Sequence, residues 1–171
     1  KCSVTIGRTG DLLHQMMLEV TLSNKKGAPE LVSRPGHALI KYIELEIGGQ
    51  LIDKQYGEWM DIWTQLSHNN EQYTKLERLV SGNLLTGDKR KVYIPLQFWF
   101  NRNIGLALPL VALQYHEVTL HFYFNKETNI RKNHQNPSLA NVNEFQIDKV
   151  ELFNDYIYLD TDERRRFAQV S

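Results

Sequence analysis

His116, Glu117 and His121 sit within six residues of one another, and a histidine–glutamate pair followed by a second histidine is the start of a zinc-protease motif. That chemistry needs the second imidazole one helical turn on, at position 120. Here it falls at 121, in a segment that reads as a strand, so the two rings face opposite sides. A cupin-type metal site needs histidines at i and i+2 on one strand, and none of His14, His37, His68, His116, His121 and His134 is so spaced. His14, His37, His68 and His134 read as scattered in turns or loops. Cys2 is the single cysteine and has no paired histidine that the sequence identifies, and neither a Gly-x-Ser-x-Gly elbow nor a phosphate loop occurs. The expected catalytic, cofactor and metal sets are therefore all empty. Two basic runs, Lys89-Arg90-Lys91 and Arg164-Arg165-Arg166, are short, and the second follows Asp160, Asp162 and Glu163. Both read as solvated turns or inter-subunit salt-bridge patches rather than phosphate sites.

Trp59, Ile62, Trp63 and Leu66 recur at i, i+3, i+4 and i+7 across EWMDIWTQLS, which predicts a helix with one apolar stripe. The stripe is either a ligand platform or an inward plug closing the open end of a β-sandwich, and the second is the expectation. A second short helix follows, with Asn69 as N-cap, Gln72 at the reciprocal capping position and Tyr73, Leu76 and Val80 inward. Together these make a helical insertion over 58–80.

The elements around that insertion are strands. Residues 93–124, YIPLQFWFNRNIGLALPLVALQYHEVTLHFYF, are the most aromatic stretch, yet Arg102, Glu117 and the turn at 101–103 interrupt it well short of the roughly 20 apolar residues of a membrane span. Ile94, Leu96, Phe98 and Phe100 alternate with Tyr93, Pro95, Gln97 and Trp99. Val118, Leu120, Phe122 and Phe124 do the same against Thr119, His121 and Tyr123, predicting two core strands. Met16, Leu18, Val20 and Leu22 form another apolar face. Leu39, Ile43, Leu45 and Ile47 lead into Gly48-Gly49, where a two-residue hairpin needs positive φ, with the partner strand at 50–56. Apolar phase slips near Asp148-Lys149 and Asn154-Asp155 predict bulges in a long late strand. Segments 81–91 and 125–141, rich in Gly, Asn, Lys and Pro, read as exposed loops.

Composition bounds the function. The 171 residues suffice for one domain that needs no disulfide or metal, and 20 basic residues balance 20 acidic ones, so there is no electrostatic footprint for nucleic acid. A lone cysteine and the lack of an acceptable glycosylation triplet favour a reducing compartment over secretion. The chain opens on Lys1 with alternation already under way, as expected of a piece of a longer polypeptide.

Three blocks, IELEIGGQLIDKQYGEWMDIWTQLS, VYIPLQFWFNRNIGLALPLVALQYHEVTLHF and ELFNDYIYLDTDERRRFAQ, occur in an order that resembles the major capsid protein of the nucleocytoplasmic large DNA viruses, the group of iridoviruses, chloroviruses and mimivirus relatives. The resemblance implies an all-β, antiparallel jelly-roll β-sandwich of two four-stranded sheets with a short helical insertion. It spans residues 1–171 as one domain, the N-terminal half of a double-jelly-roll protein. It further implies a non-enzymatic virion subunit that forms homotrimeric, pseudo-hexagonal capsomers. Expected partners are its own copies, neighbouring capsomers and minor capsid proteins, with no direct nucleic-acid contact and no membrane insertion. The expected location is the virion capsid, assembled in the host cytoplasm. Under it Gly48 and Gly49 order a hairpin, Leu96, Phe98, Phe100, Leu120 and Phe122 lie in the core, Trp59, Ile62 and Trp63 close one end, and Arg164, Arg165 and Arg166 lie at the passage toward a second domain. The competing reading is a β-sandwich carbohydrate-binding module or enzyme using Trp59, Trp63 or Trp99.

Overall fold

The computed structural model describes residues 1–24, 31–85, 89–126, 130 and 145–169. Strand β1 (Cys2–Thr5) pairs antiparallel with β8 (Val118–Phe124), which pairs with β3 (Ile40–Ile47) and through it with β4 (Gln50–Tyr56). This is the first sheet. The second is built on β2 (Leu12–Asn24), which carries β9 (Phe145–Ile157) along one edge. On its other edge β6 (Lys89–Pro95) and the two-residue β7 (Leu108–Pro109) lie end to end, and β5 (Asn83–Leu85) lies outside β6. The second sheet is thus four strands wide although five strands make it. The result is the all-β, antiparallel jelly-roll sandwich.

Alternation explains the core. Met16, Leu18, Val20 and Leu22 of β2, with Val92 and Ile94 of β6, face Ile43 and Leu45 of β3 and Val118, Leu120 and Phe122 of β8 in one buried cluster. Gly48 and Gly49 take φ of 58° and 82° in the β3–β4 hairpin, the left-handed region that a side chain disfavours. The β2–β9 ladder slips at two places, once where Asp148 is left over between the Thr21–Lys149 and Leu22–Ile147 pairs, and once between Leu13–Tyr156 and Met16–Asn154. These are the bulges that the two phase slips announce.

Three expectations are corrected. The strand expected over 94–100 ends at Pro95, and the chain then turns into α4 (Trp99–Arg102). Burial still alternates, because Leu96 donates to the Met16 carbonyl at 3.0 Å before the turn, and Phe98 and Phe100 stack 5.8 Å apart inside the core. The loop expected over 81–91 is largely the β5–β6 ladder: its lysines face outward, with Lys91 on Glu19 at 2.7 Å and Lys89 on Asp148 at 3.3 Å, so a polar strand looked like a loop. His14 stands on β2 and His37 on α1 (Pro35–Leu39), not in turns. Most of the loop expected over 125–141 lies outside the described residues. Among the described residues no helix is long and apolar enough to cross a membrane.

Candidate functional site

The elements that stand off the sandwich are α1, α2 (Gly57–Ser67) and α3 (Asn70–Ser81), placed between β4 and β5 or just ahead of β3. Local chemistry starts α3: the Asn69 side chain accepts from the Gln72 amide at 2.9 Å, and the Gln72 side chain accepts from the Asn69 amide at 3.2 Å. Leu76 and Val80 turn inward and Tyr73 is half-buried. Helix α2 has no side-chain cap and instead begins with Gly57 pressed on the backbone carbonyls of His37 and Ile40, where a Cβ would collide with both oxygens.

That close approach decides which face of α2 is inside. Gly57, Met60 and Thr64 are buried, and the Thr64 hydroxyl donates to the Met60 carbonyl at 2.7 Å. The expected inward stripe is therefore turned outward: Trp59, Ile62 and Leu66 are exposed, and Trp63 is half-buried under the Arg102 guanidinium, 4.2 Å from its ring centre. The reason is steric. A helix that sits backbone-on-backbone at its first turn has room beneath it for glycine, a flexible methionine and threonine, and none for two indoles.

Asp61 ties the three helices together. Its carboxylate takes Arg34 Nε at 2.9 Å and Arg34 Nη2 at 3.0 Å, His37 Nδ1 at 3.1 Å and Gln65 Nε2 at 3.1 Å, while Arg34 also donates to the Tyr73 hydroxyl. Burial pushes the His37 imidazole below its ordinary pKa, opposed by Asp61 and reinforced by Arg34. No motif or spacing in the sequence marks Arg34, His37 and Asp61 as a set. Asp61 occupies an ordinary polar position of an amphipathic helix, and Arg34 and His37 lie more than twenty residues away from it.

The remaining candidates fall in separate places. Leu96, Phe98, Phe100, Leu120 and Phe122 are buried in the core, and the Gly48-Gly49 hairpin packs against His116, whose Nδ1 a Cβ at Gly48 would meet at 2.6 Å. His121 uses both ring nitrogens within its own sheet, Nδ1 to Ser3 Oγ at 2.7 Å and Nε2 to Glu46 at 3.1 Å. Among the described residues no three of His, Cys, Asp and Glu converge as metal ligands. Burial raises the Cys2 thiol pKa, the opposite of an activated nucleophile. The arginine run lies on α5 (Thr161–Gln169), and its members differ. Arg164 pairs with Asp11 at 2.9 Å, while Arg165 and Arg166 are exposed. Asp11 also accepts the Leu159 amide at 2.8 Å, and the Arg164 guanidinium foremost, with that amide, holds its carboxyl below the usual range. Asp11, too, was not marked by any motif.

A two-sheet antiparallel sandwich with a helical insertion fits what the chain resembles. The family model described as "Major capsid protein N-terminus" matches residues 1–160. The chain belongs to that family. It is 42% identical to the major capsid protein of Pyramimonas orientalis virus over 100% of this chain and 43% of the relative, and 40% identical to that of Paramecium bursaria Chlorella virus 1 over 99% and 38%. Among solved structures, a quasi-atomic model of the PBCV-1 virus capsid superposes with a TM-score of 0.75 at 33% identity, covering 97% of this chain and 40% of that one. A Faustovirus major capsid protein shares the fold at 12% identity with a TM-score of 0.71. The chain thus spans less than half the length of the viral relatives it matches in sequence.

Proposed function

We propose that this chain is a non-enzymatic structural subunit of a viral capsid and supplies the first of two tandem jelly rolls in a major capsid protein. The match of 100% and 99% of this chain to proteins of that name carries the reading, and the spans of 43% and 38% leave room in those relatives for a second domain of similar size. The mechanism is geometric. A sandwich with a continuous core and internally paired polar faces is a rigid block, and repeated contacts between copies of such blocks close a shell. In this reading the capsomer is a homotrimer with a pseudo-hexagonal outline, it meets neighbouring capsomers and minor capsid proteins in the virion, and assembly takes place in the host cytoplasm. Arg165 and Arg166, exposed on α5 beyond the Asp11–Arg164 anchor, are offered toward the second domain or a neighbouring subunit. The test is expression of the complete gene product, followed by size-exclusion chromatography and negative-stain microscopy. Trimers with hexagonal outlines are expected. A monodisperse monomer that binds sugars would overturn the assignment.

A further inference from the structure

Helices α2 and α3 enter the chain between β4, an edge strand of the first sheet, and β5, an edge strand of the second. Residues 57–82 can therefore move without breaking a rung of either ladder. Their apolar hold is small, because Met60, Leu76 and Val80 are the apolar side chains that the two helices bury. A segment with so few buried apolar contacts opens at a lower free energy than the core it rests on. Each end carries a glycine. Gly57 lies on the His37 and Ile40 carbonyls, and Gly82, at φ 77°, lies so near the Lys91 carbonyl that a Cβ would meet its oxygen at 2.3 Å. Such small residues at the ends of elements take up the backbone rotation when a segment swings.

The polar hold is concentrated at one point. Among the described residues, Arg34 and His37 on Asp61 and Arg34 on Tyr73 are the side-chain hydrogen bonds that tie the bodies of α2 and α3 to the rest of the chain, with Ser81 bonded to Ser33 and Arg90 beside the Gly82 end. Helix α1 is the fixed side, since the Asn125 side chain donates to the Ala38 and Ile40 carbonyls and the Asn125 amide to that of Leu39. An ionised Asp61 only accepts, so the neutral His37 ring carries its proton on Nδ1 and Nε2 is bare. A second proton charges a ring that is 4% exposed, beside an Arg34 guanidinium whose Nε shares the same Asp61 oxygen. One oxygen then faces two cations. The surroundings offer little relief: α2 adds Glu58, which is exposed, to the cavity of about 410 Å³ beside His37, α3 brings only Tyr73, β3 brings Ile40, β6 sets Ile94 against α1, and Asn125 is uncharged. Opening returns the imidazole to water, so acid favours the open form. We infer that residues 57–82 swing away from an intact sandwich about Gly57 and Gly82, held closed by the Arg34–His37–Asp61 junction and released by protonation of His37.

The test is hydrogen exchange read by mass spectrometry on the complete gene product at about pH 7.5 and about pH 5.5, with rates corrected for the intrinsic effect of pH. Peptides from 57–82 should exchange faster than those of β2, β6 and β8 at both values, and their protection alone should fall several-fold at the lower one. A single proton taken up by an open form with the ordinary histidine value of 6.5 limits that fall to about tenfold. His37→Gln should make exchange of the segment the same at both values, and Asp61→Asn should speed it at both. The strand peptides of the same samples report that each variant keeps its fold. Protection of 57–82 equal to that of the strands overturns the inference, as does a loss at low pH that the strands share. So does a pH dependence that survives His37→Gln, or exchange that Asp61→Asn leaves unchanged. Each of these results leaves the capsid reading to its own test, the formation of capsomers.

Discussion

Replacing Met60 by alanine and, separately, Leu66 by alanine tests how α2 is seated. Met60 is fully buried against the sandwich and Leu66 is 74% exposed on the same helix. Truncating a buried methionine removes its transfer free energy and leaves a cavity, a loss of about 2–5 kcal/mol. Because the first turn of α2 is held by Gly57 on the carbonyls of His37 and Ile40, the helix has little freedom to collapse into the space. We therefore expect a loss of about 3 kcal/mol for Met60→Ala, which for a chain of this size lowers the melting temperature by roughly 6–12 °C. Leu66→Ala should change stability by no more than about 0.5 kcal/mol. Thermal melts followed by circular dichroism, in solution dilute enough to suppress association, supply the comparison. If Leu66→Ala lowers the melting temperature as much as Met60→Ala does, α2 is rotated from the position described and the outward stripe is not outward.

Gly57→Ala should lower the melting temperature despite alanine's better helix propensity, since the added methyl meets two backbone oxygens that cannot both withdraw; an unchanged or raised value refutes the close approach. Gly48→Ala, at φ 58° and against His116, should cost about 1–2 kcal/mol, measured by urea unfolding. Arg164→Ala should speed hydrogen exchange throughout α5 by releasing it from Asp11, while Arg165→Ala should not, and equal effects would refute the anchor. Burial holds the His37 imidazole below the ordinary histidine value of 6.5, so as the pH falls through about 6.5 the unfolded state takes up its proton first and stability drops, levelling only once the folded form protonates. The urea midpoint should be insensitive to this group above pH 7 and decline below it, and His37→Gln should flatten that decline.

What was legible in the sequence was what neighbouring residues decide among themselves. The Asn69–Gln72 capping box, the positive-φ glycines of the hairpin and the two bulges of β9 depend on residue type within a few positions, and each stands where those types put it. The seating of α2 was not legible, because periodicity identifies an apolar face without identifying what lies against it. Gly57 and Thr64 carry no hydrophobic signal, yet the close approach they permit fixed the helix's orientation. Asp61 was hidden for a related reason: a carboxylate on a polar helix face becomes the junction of three helices only when Arg34 and His37 are folded onto it. The β5–β6 ladder was missed because its lysines meet their acidic partners, Glu19 and Asp148, from β2 and β9.

Those same ion pairs bear on how a mostly-β protein directs its contacts. The outer sides of both sheets are paired within the chain, by Lys91 with Glu19 and Lys149 with Glu151 on one and by Lys54 with Glu44 and His121 with Glu46 on the other. Each exposed pair contributes little to stability, because solvent screens the charges and holding two long side chains together costs entropy. Their consequence for association is larger, since a neighbour docking flat on either face would have to desolvate these charges without offering better partners. The thirteen-residue β9, at the rim of the second sheet, is bulged twice and carries Asp148, Lys149 and Asp155, features that discourage an added strand. Apolar area that docking could bury without those costs lies instead in separate patches, at Leu51 and Ile52 of β4, at Trp59, Ile62 and Leu66 of α2, and at Ile104 and Leu106.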